Sequence, residues 1–276
     1  MAQITTADIT KLRQLTGAGM MDCKNALTES EGDVNLAIEL IRKKGQAVSM
    51  KRADRLTTQG LVVAEISPNG KDAAIIALSC ETDFVAKTDG FIELSKIIAQ
   101  KALETKPSNI DALKQINVNN LTIQDMIMDK VAAIGERIDV TYYEYISAEH
   151  VFSYIHQGSK IGTLVGFNKM VANQQIGKDV AMQIAAMSPI AIDKDDISKE
   201  MVEKEIEIGK EQARAEGKPE AILEKIAMGK LNKFYNESTL LNQEFVKDNK
   251  MTVRQYIQND DKELSITVFK RCSITV

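Results

Sequence analysis

The sequence predicts an α+β protein, with an N-terminal three-helix module followed by a core of two similar α+β halves with antiparallel sheets and an inserted helical hairpin. Three observations carry this prediction. Apolar residues recur at helical spacing through the first 45 positions. From residue 60 the pattern changes to short β-rich runs divided by turn residues. The order strand, turn, strand, helix then occurs twice.

The first helix is expected to start at a Thr6 cap, carry Ile9, Leu12 and Leu15, and end at Gly17. After the turn Gly17-Ala18-Gly19, a second helix holds Met20, Met21, Cys23, Ala26 and Leu27. Adjacent residues on a helix point about 100° apart, so Met20 and Met21 cannot both be core, and one of the pair is assigned there. Asp33 caps a third helix with Val34, Ala37, Ile38 and Ile41 inward, closed by Gly45. Residues 46–59 follow as a basic linker. The first core half, 60–140, opens with strands at 61–66 and 73–78 around Pro68-Asn69-Gly70, a hairpin signal. A loop at 80–87 leads to a helix at 91–103, and 109–135 hold one or two more helices. The second half, 141–276, repeats the order with strands at 151–155 and 161–167 and a helix at 176–187. Residues 198–231 form a charged helical hairpin broken at Gly217-Lys218-Pro219, with Met201, Val202 and Ile206 expected to face Ile222, Leu223 and Ile226. A last strand at 264–269 closes the second half.

Composition narrows the function. Lys and Arg number 35 against 39 Asp and Glu, so no overall field draws the chain to nucleic acid. The basic stretch Lys43–Arg55 is the one candidate footprint, and a solvated linker face is its favoured reading. Cys23, Cys80 and Cys272 are far apart and build neither a zinc site nor a disulfide framework. No leader and no membrane span are expected, and the cytoplasm is the expected compartment. With His150 and His156 as the only histidines, and no phosphate loop or nucleophile elbow, no catalytic residue, metal or cofactor is assigned. Cys80 is read as a buried structural thiol, because the neighbouring Glu81 and Asp83 disfavour a thiolate.

The informative segment is Thr82-Asp83-Phe84-Val85, an aromatic between an acid and a β-branched residue just after a strand. By residue type alone Phe84 is either a core aromatic, the favoured reading, or an exposed recognition anchor. The run LRQLTGAGMMDCKNAL at 12–27 resembles the N-terminal signature of the elongation factor Ts family. CETDFVAK at 80–87, YIHQGSKIG at 154–162 and MQIAAMSP at 182–189 are similar to three further segments of that family, in family order over nearly the whole chain.

The resemblance implies a guanine nucleotide exchange factor for elongation factor Tu, not an enzyme. The three-helix module would be similar to ubiquitin-associated folds and dock on the GTPase domain of that partner through Leu12, Arg13, Met20 and Met21. The loop Thr82, Asp83, Phe84 and Val85 would intrude beside the nucleotide, with Phe84 as wedge and Asp83 helping to displace a neighbouring helix. Disturbing a magnesium ion that bridges diphosphate oxygens weakens the hold on GDP. His156, assigned by resemblance alone, would face a second domain of the partner. The resemblance leaves room for a homodimer of the heterodimer and implies no direct nucleic-acid contact. Many members continue into a C-terminal helix that also touches the partner, whereas shorter members lack it; with this sequence ending at Val276, a smaller contact surface than in the longest members is expected. Two other readings remain: a non-catalytic helical adaptor unrelated to nucleotide exchange, and a thiol enzyme using Cys80.

Overall fold

A computed structural model describes residues 4–274. Three helices come first: α1 (Thr6–Thr16), α2 (Met20–Glu29) and α3 (Val34–Lys51). The cap of α1 is Thr5, one residue before the expected Thr6, in a reciprocal capping box with Asp8. Leu12, Cys23, Ala26, Leu27, Ala37 and Ile41 fill the small core between the helices. Leu15 is 61% exposed, against the expectation from its spacing, because the buried Ala18 of the turn takes that place in the core. Neither methionine is core: Met20 and Met21 are both exposed, since Cys23 and Leu27 already cover the inward face of α2.

Gly45 does not close α3, which runs six residues further, to Lys51. The glycine serves close approach instead. A Cβ there would lie 2.4 Å from the Met128 carbonyl oxygen and 3.0 Å from the Ala132 Cβ, so α3 rests its backbone directly on a helix of the core. Six of the fourteen residues of the expected basic linker, 46–51, are consequently helix.

The core begins with β1 (Gln59–Ile66) and β2 (Asp72–Cys80), antiparallel about a turn in which Gly70 takes a φ of 70°. Next come α4 (Asp83–Ala86), α5 (Asp89–Thr105), α6 (Ile110–Lys114), a two-residue-strand hairpin of β3 (Asn117–Val118) and β4 (Leu121–Thr122), and α7 (Ile123–Ile134). Strand β5 (Ile138–Ser147) pairs with the other edge of β2 and crosses position 140/141. It was not anticipated from sequence, because its Tyr-Tyr-Glu-Tyr run gives no clean apolar alternation.

The second sheet repeats this order. Strands β6 (His150–Ile155) and β7 (Ile161–Phe167) precede α8 (Gln174–Met187). The hairpin of α9 (Lys199–Ala215) and α10 (Leu223–Ser238) follows, then β8 (Glu244–Phe245), β9 (Asp248–Thr252), α11 (Val253–Asp260) and β10 (Ile266–Ser273). The sheets run β1-β2-β5 and β6-β7-β10, so in each the middle strand is the one that leads towards the packing helix. The helical hairpin differs in register from the expectation. Gly209 lies against Ala227 and Lys210 pairs with Glu224 at 2.6 Å, while Met201 and Ile222 are exposed. Antiparallel helices joined by a short turn set the end of one beside the start of the other, which keeps Met201 away from Leu223.

The two sheets stack face to face. Val62, Ala73, Ile75, Ala77, Val151 and Leu164 lie between them. The opposite face of β2, with Ala74, Ile76, Leu78 and Cys80, meets α5 and α7, and Val165 and Phe167 of β7 meet α8. Burial on both faces explains the unbroken apolar run of β2.

Candidate functional site

The segment after β2 is a single helical turn, too short to hold its own shape. Its conformation comes from its neighbours. Val85 and Ala86 are buried against the core, and the Thr88 hydroxyl donates to the Val85 carbonyl at 2.8 Å. The Cys80 thiol donates to the Thr82 carbonyl at 3.2 Å. Thr82 gives its N–H and its hydroxyl to the two carboxylate oxygens of Glu136, at 3.0 and 2.7 Å. Glu81 in turn accepts the Arg137 N–H at 2.7 Å and both its oxygens meet Arg52, at 2.9 and 2.7 Å. Held on both sides, the turn points Phe84 outward, 80% exposed. The burial expected from residue type alone is overturned because Val85 takes the inward position.

Electrostatics follow from the same contacts. Burial pushes the Glu81 carboxyl up, but the Arg137 and Arg52 hydrogen bonds and the Arg52 and Arg55 charges outweigh it and leave it below the usual range. The Lys87 ammonium, 2.6 Å away, holds the Asp83 carboxyl below its ordinary value. Burial, and after it the Glu136 charge, push the Cys80 thiol up to about 12, so it is a protonated core group at neutral pH.

Stacking of the sheets brings a second segment to this turn. Gly158 and Lys160 of the β6–β7 connection line one open groove with Asp83, Phe84 and Lys87. His156, in the same connection, is exposed and lines the next groove with Met182, Ala185 and Val246, its Nδ1 3.0 Å from the Tyr154 hydroxyl. The remaining residues singled out from sequence lie in the three-helix module. Arg13, Met20 and Met21 are exposed, as is Leu15, whereas Leu12 is wholly buried and holds α1 against its neighbours. That module sits on α7 through Gly45 and through the Arg42 guanidinium, which meets Asp129 at 3.0 and 3.2 Å.

Glu136 and Arg137 carry no signal in the sequence, and Arg52 is singled out there only within the basic stretch Lys43–Arg55, not as a partner of Glu81. Their partners lie 54, 56 and 29 positions away, and no local pattern marks such a pairing. Among the described residues no three His, Cys, Asp or Glu side chains gather into a group that could hold a metal, and no helix is long and apolar enough to cross a membrane.

The site therefore belongs to an α+β protein that holds one large aromatic, Phe84, out on a braced turn and exposes Met20 and Met21 on its helical module. The elongation factor TS family model matches residues 81–275. The chain is 52% identical to elongation factor Ts of Amoebophilus asiaticus, over 97% of this chain and 98% of the relative. It is 49% identical to that of Cytophaga hutchinsonii over the full length of both, and 46% identical to that of Porphyromonas gingivalis over 98% of each. The chain belongs to the elongation factor Ts family of bacterial translation elongation factors.

Proposed function

We propose that the chain promotes release of GDP from elongation factor Tu by contact, performing no bond chemistry of its own, in the cytoplasm. The observation that carries this reading is Phe84, a large apolar ring kept in water by a turn whose other residues are all engaged. Such exposure costs free energy in the isolated chain and is recovered when a partner covers the ring. Arg13, Met20 and Met21 would dock on the GTPase domain, with the adaptable thioethers fitting a surface that changes shape. Leu12 would act indirectly, by keeping α1 in place. Phe84 then enters beside the nucleotide site, Asp83 exchanges Lys87 for a partner group, and the magnesium ion loses its place. His156 and its groove receive a second domain. Tighter binding to the nucleotide-free partner requires GDP to weaken the grip of the factor by the same ratio.

Release of labelled GDP from elongation factor Tu of the same source tests this. Sub-stoichiometric protein is expected to accelerate it, and Phe84→Ala to lower that acceleration at least tenfold, about 1.4 kcal/mol in the barrier, with unfolding unchanged. No acceleration by the unaltered chain rejects the proposal.

A further inference from the structure

Strand pairing between β2 and β5 ends at Cys80 and Ile138, where the chains part so that α4 can begin. Past that point two carboxylates continue the pairing. Glu136 takes the Thr82 N–H, and Glu81 takes the Arg137 N–H, so each segment supplies the acceptor for the other. The Thr82 hydroxyl, which at a helix start ordinarily accepts from the helix itself, makes no such bond here and donates to Glu136 instead. The orientation of the turn is therefore set from residue 136, anchored between the left-handed Gly135 that ends α7 and the first residue of β5.

We propose that Glu136 is a positioning residue for nucleotide exchange: it holds Thr82 so that Phe84 is presented in its working direction before the partner arrives. This rests on the reading of Phe84 as the wedge. A ring that must be ordered during the encounter spends part of its contact energy on that ordering, and a preformed one does not. The effect therefore falls on the step after docking. Docking belongs to the exposed side chains of the helical module, which Glu136 does not touch.

Stimulated GDP release is measured against concentration of the full chain, giving a maximal rate and a half-saturating concentration. Glu136→Ala is expected to lower the maximal rate about tenfold, the loss of one charge-assisted hydrogen-bonded pair, with the half-saturating concentration held within about twofold. Glu136→Gln keeps an acceptor for the Thr82 N–H and a donor for its hydroxyl, and restores most of the rate. Thr82→Val, a near-isostere without the hydroxyl, lowers the maximal rate less, and adds little to Glu136→Ala because the hydroxyl contact it removes is already lost there. Should Glu136→Ala not fold, Thr82→Val carries the same test. Full maximal rates in Glu136→Ala and Thr82→Val beside a slow Phe84→Ala overturn the positioning role and leave the exchange reading standing. A change confined to the half-saturating concentration also overturns it. A Phe84→Ala as fast as the unaltered chain removes the wedge, and the role of Glu136 with it.

Discussion

Asp179 lies on the buried face of α8, only 4% exposed, and survives there as a charge because three donors reach it. Gln175 Nε2 and Lys247 Nζ each approach to 2.7 Å and the Tyr256 hydroxyl to 2.8 Å. Burial raises its pKa, and the three hydrogen bonds with the Lys247 charge outweigh that, leaving it below 3.8. A depressed carboxylate stabilises the fold fully above its unfolded pKa, and that contribution fades as pH falls through the folded one. Asp179→Asn is therefore expected to cost about 2–3 kcal/mol at pH 7. The gap from the unaltered chain should narrow by about pH 3. Urea unfolding at the two pH values checks this, and a gap of equal size at both rejects it. The consequence reaches the surface, because Val246, beside Lys247, forms a wall of the His156 groove. Gln183 holds that wall from the same helix, accepting the Val246 N–H at 2.8 Å and donating to the Glu244 carbonyl at 3.1 Å.

At the scale of elements, two helical glycines separate intrinsic propensity from packing. Gly45 of α3 faces the backbone of α7, while Gly229 of α10 has nothing within 4 Å of where a Cβ would stand. Gly229→Ala is expected to stabilise by about 0.5–1 kcal/mol, the ordinary helix preference. Gly45→Ala gains the same preference but forces α3 off α7, and is expected to destabilise by about 1–2 kcal/mol net. Thermal unfolding of both variants decides it: equal gains would mean that α3 and α7 do not approach as described. From sequence alone Gly45 reads as a helix end, because a glycine for close approach and a glycine for termination look alike until the second helix is in place. The same limit explains the other gaps. Helices α2, α5 and α8 and the two hairpins were legible because their spacing is local. Strand β5 was not, since its half-exposed tyrosines owe their places to β2, some sixty residues earlier. At the site, the sequence placed the Thr82–Val85 turn but left the direction of Phe84 open. Which of Phe84 and Val85 turns inward is settled by the core beneath them, not by their own identities.

At the scale of the molecule, the shape of the candidate site depends on how the two sheets sit on each other. The groove beside Phe84 has one wall from the first half and one from the second, joined where the Val62 N–H donates to the Ser159 carbonyl at 2.7 Å. The Ile274 N–H donates to the Lys160 carbonyl at 2.9 Å and ties the same connection to the end of the chain. Gly162, the second residue of β7, faces this junction. A Cβ there would lie 2.6 Å from Val62 Cγ1, 2.7 Å from Ile155 Cδ1 and 3.0 Å from Ile75 Cδ1. All three are ends of side chains, so an alanine is accommodated by small rotations. A valine adds two methyl groups where the sheets leave no room, and interiors at native density resist that by moving backbone. Gly162→Val is expected to cost about 3 kcal/mol and to lower the midpoint of thermal unfolding by about 5–10 °C. The transition should remain single, because the strained layer is common to both halves. Gly162→Ala is expected to lose less than half as much. Well below its unfolding midpoint, Gly162→Val should still dock with the partner through the helical module. Its maximal exchange rate should fall, because the connection at 156–160 no longer meets the Phe84 turn in register. A valine variant that melts with the unaltered chain, or that melts lower yet exchanges at full rate, would separate the stacking of the sheets from the working of the groove.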